Sequence, residues 1–289
     1  MCCWPGQRIM PAMTEKTSTG LRRAYYRRGP DYRHGEDVSF GEIKAQFGFG
    51  AITIGAWVQK QEKVIAANLV FDALADLAFL LNVPPSLLGL RGQLDLAFGT
   101  GGQPGAQAHY APGSRTLALA KNAGAGALAH EWWHSFDHYI AAKLYPAHVG
   151  DKGLMAMASS QFLQPRQPKP HPLNQRLEAV FAAVLLTPEG DDRHDYVRRS
   201  VALDRRLASQ LGRRYYSLPT EMMARAFEAA IQSDERIKNV YLVSGTKQSE
   251  LAQAGAFPDA EHLQRIRTAL LAYFEPLGWV MSQKGSRKL

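Results

Sequence analysis

The sequence predicts a mixed α/β protein: a small sheet, a helix carrying paired histidines, then a mostly helical remainder. Three observations carry that expectation. Short strand-like runs at 47–55, 94–98 and 115–120, the first of them rich in β-branched and aromatic residues, all lie before residue 124. The stretch 124–140 has helical periodicity and contains His130-Glu131-Trp132-Trp133-His134. Beyond residue 174 the patterns are those of successive helices.

Composition bounds the classes open to the chain. Its 289 residues allow one large domain or two small ones, and 46% hydrophobic with 21% charged residues suffices for a sizeable core. Spanning a bilayer takes an apolar run of about 18 residues, and none is expected here. Met1-Cys2-Cys3-Trp4-Pro5-Gly6 leads into polar residues without the apolar centre of a signal peptide. The only two cysteines are adjacent, which leaves no disulfide framework and no cysteine-based zinc site. A reducing cytoplasm is the expected location. A net charge of +8 suggests an acidic partner such as nucleic acid, or simply aids solubility.

In chain order, residues 1–35 form a basic arm expected to be disordered, its first 20 residues a tail. Leu21–Arg33 holds five arginines and three tyrosines in 13 residues. Such interleaving can track a phosphate backbone and stack on bases, which makes Arg22–Arg33 a possible nucleic-acid contact. The alternative is an arm that packs its tyrosines while its arginines pair with surface acids. Residues 36–289 are expected to be a single domain, with sheet and motif helix at 36–150 and a helical part at 151–289. Phe47–Gly55 reads as a strand or extended turn. Residues 57–81 form a long helix apolar nearly all round, and therefore buried, ended by Asn82-Val83-Pro84-Pro85. Leu94–Phe98 is a strand, and Gly99–Gly105 a loop at the rim of a site that lacks P-loop spacing. Residues 106–110 and 115–120 make a hairpin around Pro112-Gly113. Further helices are expected at 174–187, 191–211, 220–231 and 259–274, with a short strand at 240–243. The sequence shows no internal repeat and says nothing of oligomeric state.

The chemistry concentrates in the motif helix. Residues four apart share a face, so His130 and His134 can reach one ion. Glu131 lies about 100° round the helix and flanks that ion. Two histidines holding zinc beside a glutamate base is the arrangement of a zinc hydrolase. Trp132, Phe136 and Ile140 cluster on one side as a core face; His130, His134 and Asp137 form a stripe on the other. Gly124-Ala125-Gly126-Ala127 lacks bulk and allows a neighbouring strand or substrate to approach closely.

Phe47-Gly48-Phe49, Gly55-Ala56-Trp57-Val58, Leu96-Ala97-Phe98-Gly99, Ala108-His109-Tyr110 and the run Ala123–Glu131 together resemble a set of bacterial and phage proteins. These include the CLCA_X family and the zincin-like domain of large phage polyvalent proteins. The resemblance spans roughly residues 25–232, is strongest at 94–138, and includes Thr220–Glu228, similar to the E-x-x-A-R-x-F segment of those domains. It implies a zincin-like metallopeptidase fold and no particular substrate. By analogy with zinc peptidases, the edge strand of the sheet would lie over the motif helix and pair with an extended peptide or protein substrate.

Catalytic zinc takes three protein ligands and leaves a fourth position for water. A metzincin would need Gly at 137 and His or Asp at 140, where this chain has Asp137 and Ile140. Asp137 is better placed to hydrogen-bond an imidazole than to bind metal, or else is a helix-surface acid. The third ligand is then expected from another helix. Glu221 is the first candidate, followed by Glu178 and Glu228; Glu221 also suits an i, i+4 ion pair with Arg225. Tyr215, Tyr216 and His109 are candidate donors to an oxyanion. The expected reaction is zinc-dependent peptide hydrolysis, with zinc on His130, His134 and Glu221 and the zinc-bound water activated by Glu131. The alternative is a basic nucleic-acid-associated or regulatory metal-binding protein without turnover.

Overall fold

The computed structural model describes residues 21, 25–100, 107–121, 126–208 and 212–286. The tail at 1–20, most of the glycine-rich loop and Gly124-Ala125 lie outside them. The architecture is mixed α/β, with a small mixed sheet and a helical C-terminal part. The chain divides into two compact units. The first comprises the described residues of Met1–Leu80, Pro84–Ser135 and Glu235–Ser244; the second those of Leu81–Val83, Phe136–Asp234 and Gly245–Leu289.

The first unit opens with β1 (Arg27–Arg28), paired antiparallel with β6 (Lys238–Asn239). Helix α1 (Phe40–Phe47) follows, and its start is written in the sequence. Ser39 Oγ accepts the Glu42 N–H at 3.2 Å, while the Ser39 N–H donates to the Glu42 carboxylate at 2.7 Å. Gly48 ends the helix at φ 69°, in the left-handed region where a Cβ is costly. The extended structure expected from Phe47 is therefore confined to β2 (Ile52–Ile54), and Phe47 is a helical core residue stacked edge-on to Phe71.

Helix α2 (Lys60–Leu81) crosses from β2 to β3 (Asp95–Phe98), which lies parallel beside it. The expected hairpin forms as β4 (Ala108–Ala111) and β5 (Thr116–Leu119), antiparallel with Tyr110 opposite Leu117. The sheet order is β2-β3-β5-β4, so β4 is the antiparallel edge strand. Leu96, Phe98, Leu117 and Leu119 are buried, as are Leu74 and Leu77 of α2.

Helix α2 corrects one expectation. An 18-residue window reaches a mean hydropathy of 2.0, so by length and composition α2 could cross a membrane. Two of its few charges, Asp72 and Asp76, interrupt its apolar run. Within the protein 67% of that window is buried. Both acids hold the arm: Arg33 forms a fork with Asp72 at 3.0 and 3.1 Å, Arg27 one with Asp76 at 2.8 and 2.7 Å.

The motif helix α3 (Leu128–Leu144) passes through the unit boundary between Ser135 and Phe136. In the second unit α4 (Ala158–Phe162), α5 (Pro172–Leu185), α6 (Asp195–Arg206), α7 (Pro219–Ser233), α8 (Glu250–Gln253) and α9 (Ala260–Ser286) follow. Histidines cap two of them: His171 Nδ1 accepts from Leu173 N–H, and His194 Nδ1 from Tyr196 N–H, both at 3.1 Å. The expected strand at 240–243 is instead a turn after the two-residue β6. Helix α9 was expected to stop at 274 and runs through Pro276. It packs along α5 and α7 with Tyr273 and Phe274 buried, and this packing outweighs the hydrogen bond that proline removes.

Candidate metal centre

Helix α3 is buried on both of its faces. Trp132, Phe136 and Ile140 are core residues as expected and Trp133 is buried with them, but His130, Glu131 and His134 are also only 5% exposed. Such burial of imidazoles and a carboxylate needs partners. Nε2 of His130 and Nε2 of His134 face each other at 3.1 Å. Two nitrogens bound tetrahedrally to one zinc-sized ion would stand about 3.3 Å apart, so the pair is already converged on a common point.

Glu221, in the first turn of α7, is 1% exposed. One ligand atom from each of His130, His134 and Glu221 lies within 4.8 Å of the others. Two imidazoles and a carboxylate, all buried, form a group that can hold a metal ion. Among the described residues this is the group with that geometry.

Glu131 is held differently. Its Oε2 accepts the backbone N–H of Tyr110, on the edge strand β4, at 2.8 Å. The carboxylate one residue after His130 is thus anchored by sheet backbone. No residue periodicity signals that bond, because it is made by a main-chain amide; the proximity of a hairpin to the motif helix was the only hint.

The other candidates have their own partners. Asp137 is fully buried and so is not a surface acid; it accepts from the backbone N–H of Ser159 at 2.8 Å and from its hydroxyl. Glu178 accepts the Tyr145 hydroxyl at 2.9 Å. Burial, and then that bond, push the Tyr145 phenol above its ordinary value. Glu228 is buried on α7 and lies outside the ligand group. Arg225, the candidate ion-pair partner of Glu221, donates to the carbonyls of Ala256 (2.9 Å) and Tyr216 (2.6 Å) and to Ser200 Oγ (3.1 Å).

The candidate oxyanion donors are placed as follows. Tyr215 and Tyr216 stack edge-on at 5.1 Å, and their backbone amides bond to Asp204 at 2.9 and 2.8 Å. Burial penalises the Asp204 carboxylate, but the bonds from Ser217 and these amides outweigh it and hold the group below its ordinary range. His109 lies on β4 with Nδ1 buried and without a hydrogen-bond partner, and burial lowers its imidazole below the ordinary value.

Residues 207–280 match the model of the large polyvalent protein-associated domain 1. The match takes in Glu221 and the Thr220–Glu228 segment of the sequence resemblance; it does not take in His130 or His134. It supports a domain of the polyvalent-protein type and does not extend to a metallopeptidase. No curated protein and no solved structure matches the chain.

Proposed function

We propose that this protein is a zinc-dependent hydrolase of the metallopeptidase type, with zinc held by His130, His134 and Glu221 and with Glu131 as general base. The single observation that carries the reading is the 3.1 Å approach of the two buried Nε2 atoms with a buried Glu221 oxygen beside them. The donor set of two imidazoles and one carboxylate suits zinc and leaves a coordination position open. Bound there, zinc supplies Lewis acidity, which polarises a carbonyl and makes water a stronger acid.

The chain's own residues would do the rest. Glu131, beside the ligands and fixed through Tyr110 N–H, takes the proton of the attacking water and returns it to the leaving amine. Near-complete burial around the histidines excludes bulk water and strengthens each electrostatic contact. An extended peptide is the substrate class, because β4 is an edge strand and offers backbone for pairing beside Glu131.

The test is elemental analysis of the purified full chain after zinc reconstitution. About one zinc per chain is expected. Absence of zinc after reconstitution removes the central claim.

A further inference from the structure

The amides that open a helix have no partner within it, so α3 must be capped from outside. Its cap is the turn after β6. Gly126 N–H donates to the Tyr241 carbonyl at 3.0 Å, and Ala129 N–H to the Leu242 carbonyl at 3.1 Å. Ser244 N–H donates back to the Gly126 carbonyl at 3.2 Å. Gly126 sits at φ +103°, and a Cβ there would collide with Ser244, so the close approach requires glycine.

One side chain holds that turn. Asn239 Oδ1 accepts the N–H of Tyr241 at 2.9 Å and of Leu242 at 3.0 Å, while its Nδ2 donates to Asp76 at 2.8 Å. Asp76 is fully buried on α2 and bound as well by Arg27. A continuous path of hydrogen bonds therefore runs from the core helix, through Asn239, to the carbonyls that cap Gly126 and Ala129. Ala129 adjoins His130.

We propose that Asn239 is a positioning residue for the metal-binding helix. It acts through Tyr241 and Leu242, touches no metal or substrate, and sets the first turn of α3. A displaced first turn moves His130 Nε2 against His134 Nε2, and metal sites tolerate errors of only about 0.2 Å. The consequence for zinc rests on the function proposed above; the hold on the helix rests on the hydrogen bonds alone.

Amide hydrogen exchange on the zinc-free full chain, followed by zinc competition, tests this. In the native protein the amides of Gly126, Ala129, Tyr241 and Leu242 are expected to open together, with protection equal to within about threefold. Asn239→Ala should speed exchange at those amides about tenfold or more beyond whatever change appears at Leu74 and Leu77 of α2. It should also weaken zinc binding about 10-fold to 100-fold, as loss of an outer hydrogen-bonded support does. Unchanged exchange and unchanged zinc affinity in Asn239→Ala would overturn the proposal. If that variant does not fold, the native protein decides: protection of Ala129 unrelated to that of Tyr241 and Leu242 overturns it equally. A native protein that takes up no zinc removes the function proposed above, while the exchange measurement still judges the hold on α3.

Discussion

Glu131, Glu178 and Glu221 are all carboxylates on helices, yet their surroundings differ. Glu131 is tied to a strand amide beside the histidine pair, Glu178 to a tyrosine hydroxyl, and Glu221 stands with the imidazoles. Glu131→Gln is expected to keep its zinc and lose hydrolysis by about 10²-fold or more, the usual contribution of a general base. Glu221→Ala should lose zinc affinity by more than the roughly 10-fold to 100-fold typical of an outer support, with activity lost in consequence. Glu178→Ala should retain the metal. Zinc titration of the three variants checks the assignments. Retention of zinc by Glu221→Ala at native affinity would transfer the ligand role to another group.

At the scale of elements, the basic arm and α2 are one device. Arg27 reaches a carboxylate that is fully buried on a largely apolar helix, and Asn239 shares it. Removing one partner of a buried pair leaves the other charge uncompensated, typically costing about 3–5 kcal/mol. Arg27 is itself partly solvated, so Arg27→Met is expected at the lower end, about 3 kcal/mol by urea denaturation. Because Arg27 and Arg33 are engaged with Asp76 and Asp72, neutralising both should leave the salt dependence of DNA retention unchanged. A flattened salt dependence would return the arm to the nucleic-acid role considered from its sequence.

At the scale of the whole molecule, the protein is expected to weaken in mild acid through histidines buried as neutral rings. His262 stacks on His194 with ring centroids 3.5 Å apart, and its Nε2 donates to the Ala183 carbonyl at 2.8 Å. Burial, outweighing that bond, pushes His262 down from 6.5 to about 4. His194 is lowered as well, first by burial and then by Arg265. A folded-state value below the unfolded one means that the unfolded chain binds the proton first. The stability is present above about pH 6.5 and is lost as pH falls toward 4. For His262 alone the loss is at most about 3 kcal/mol. Denaturation of the zinc-free chain at several pH values in this window should show the decline, and His262→Gln should flatten it.

The residues alone were enough for whatever depends on local spacing. The i, i+4 placement of His130 and His134 gave a shared face, the Pro112-Gly113 turn between two short runs gave a hairpin, and the Ser39-to-Glu42 capping box was there to be read, though the aromatic letters of Phe47–Phe49 argued for a strand. Tertiary structure decided the rest. Glu221 stands some ninety positions beyond the histidines, and no periodicity distinguishes it from Glu178 or Glu228; the grouping of its ligand atom with theirs, within 4.8 Å, is not marked in the letters. Helix α9 continues through Pro276 because buried side chains along α5 and α7 outweigh one missing hydrogen bond. The anchoring of Glu131 by Tyr110 and the capping of α3 by Tyr241 and Leu242 are made by backbone groups, which every residue carries, so side-chain identity leaves them unmarked until the chain has folded.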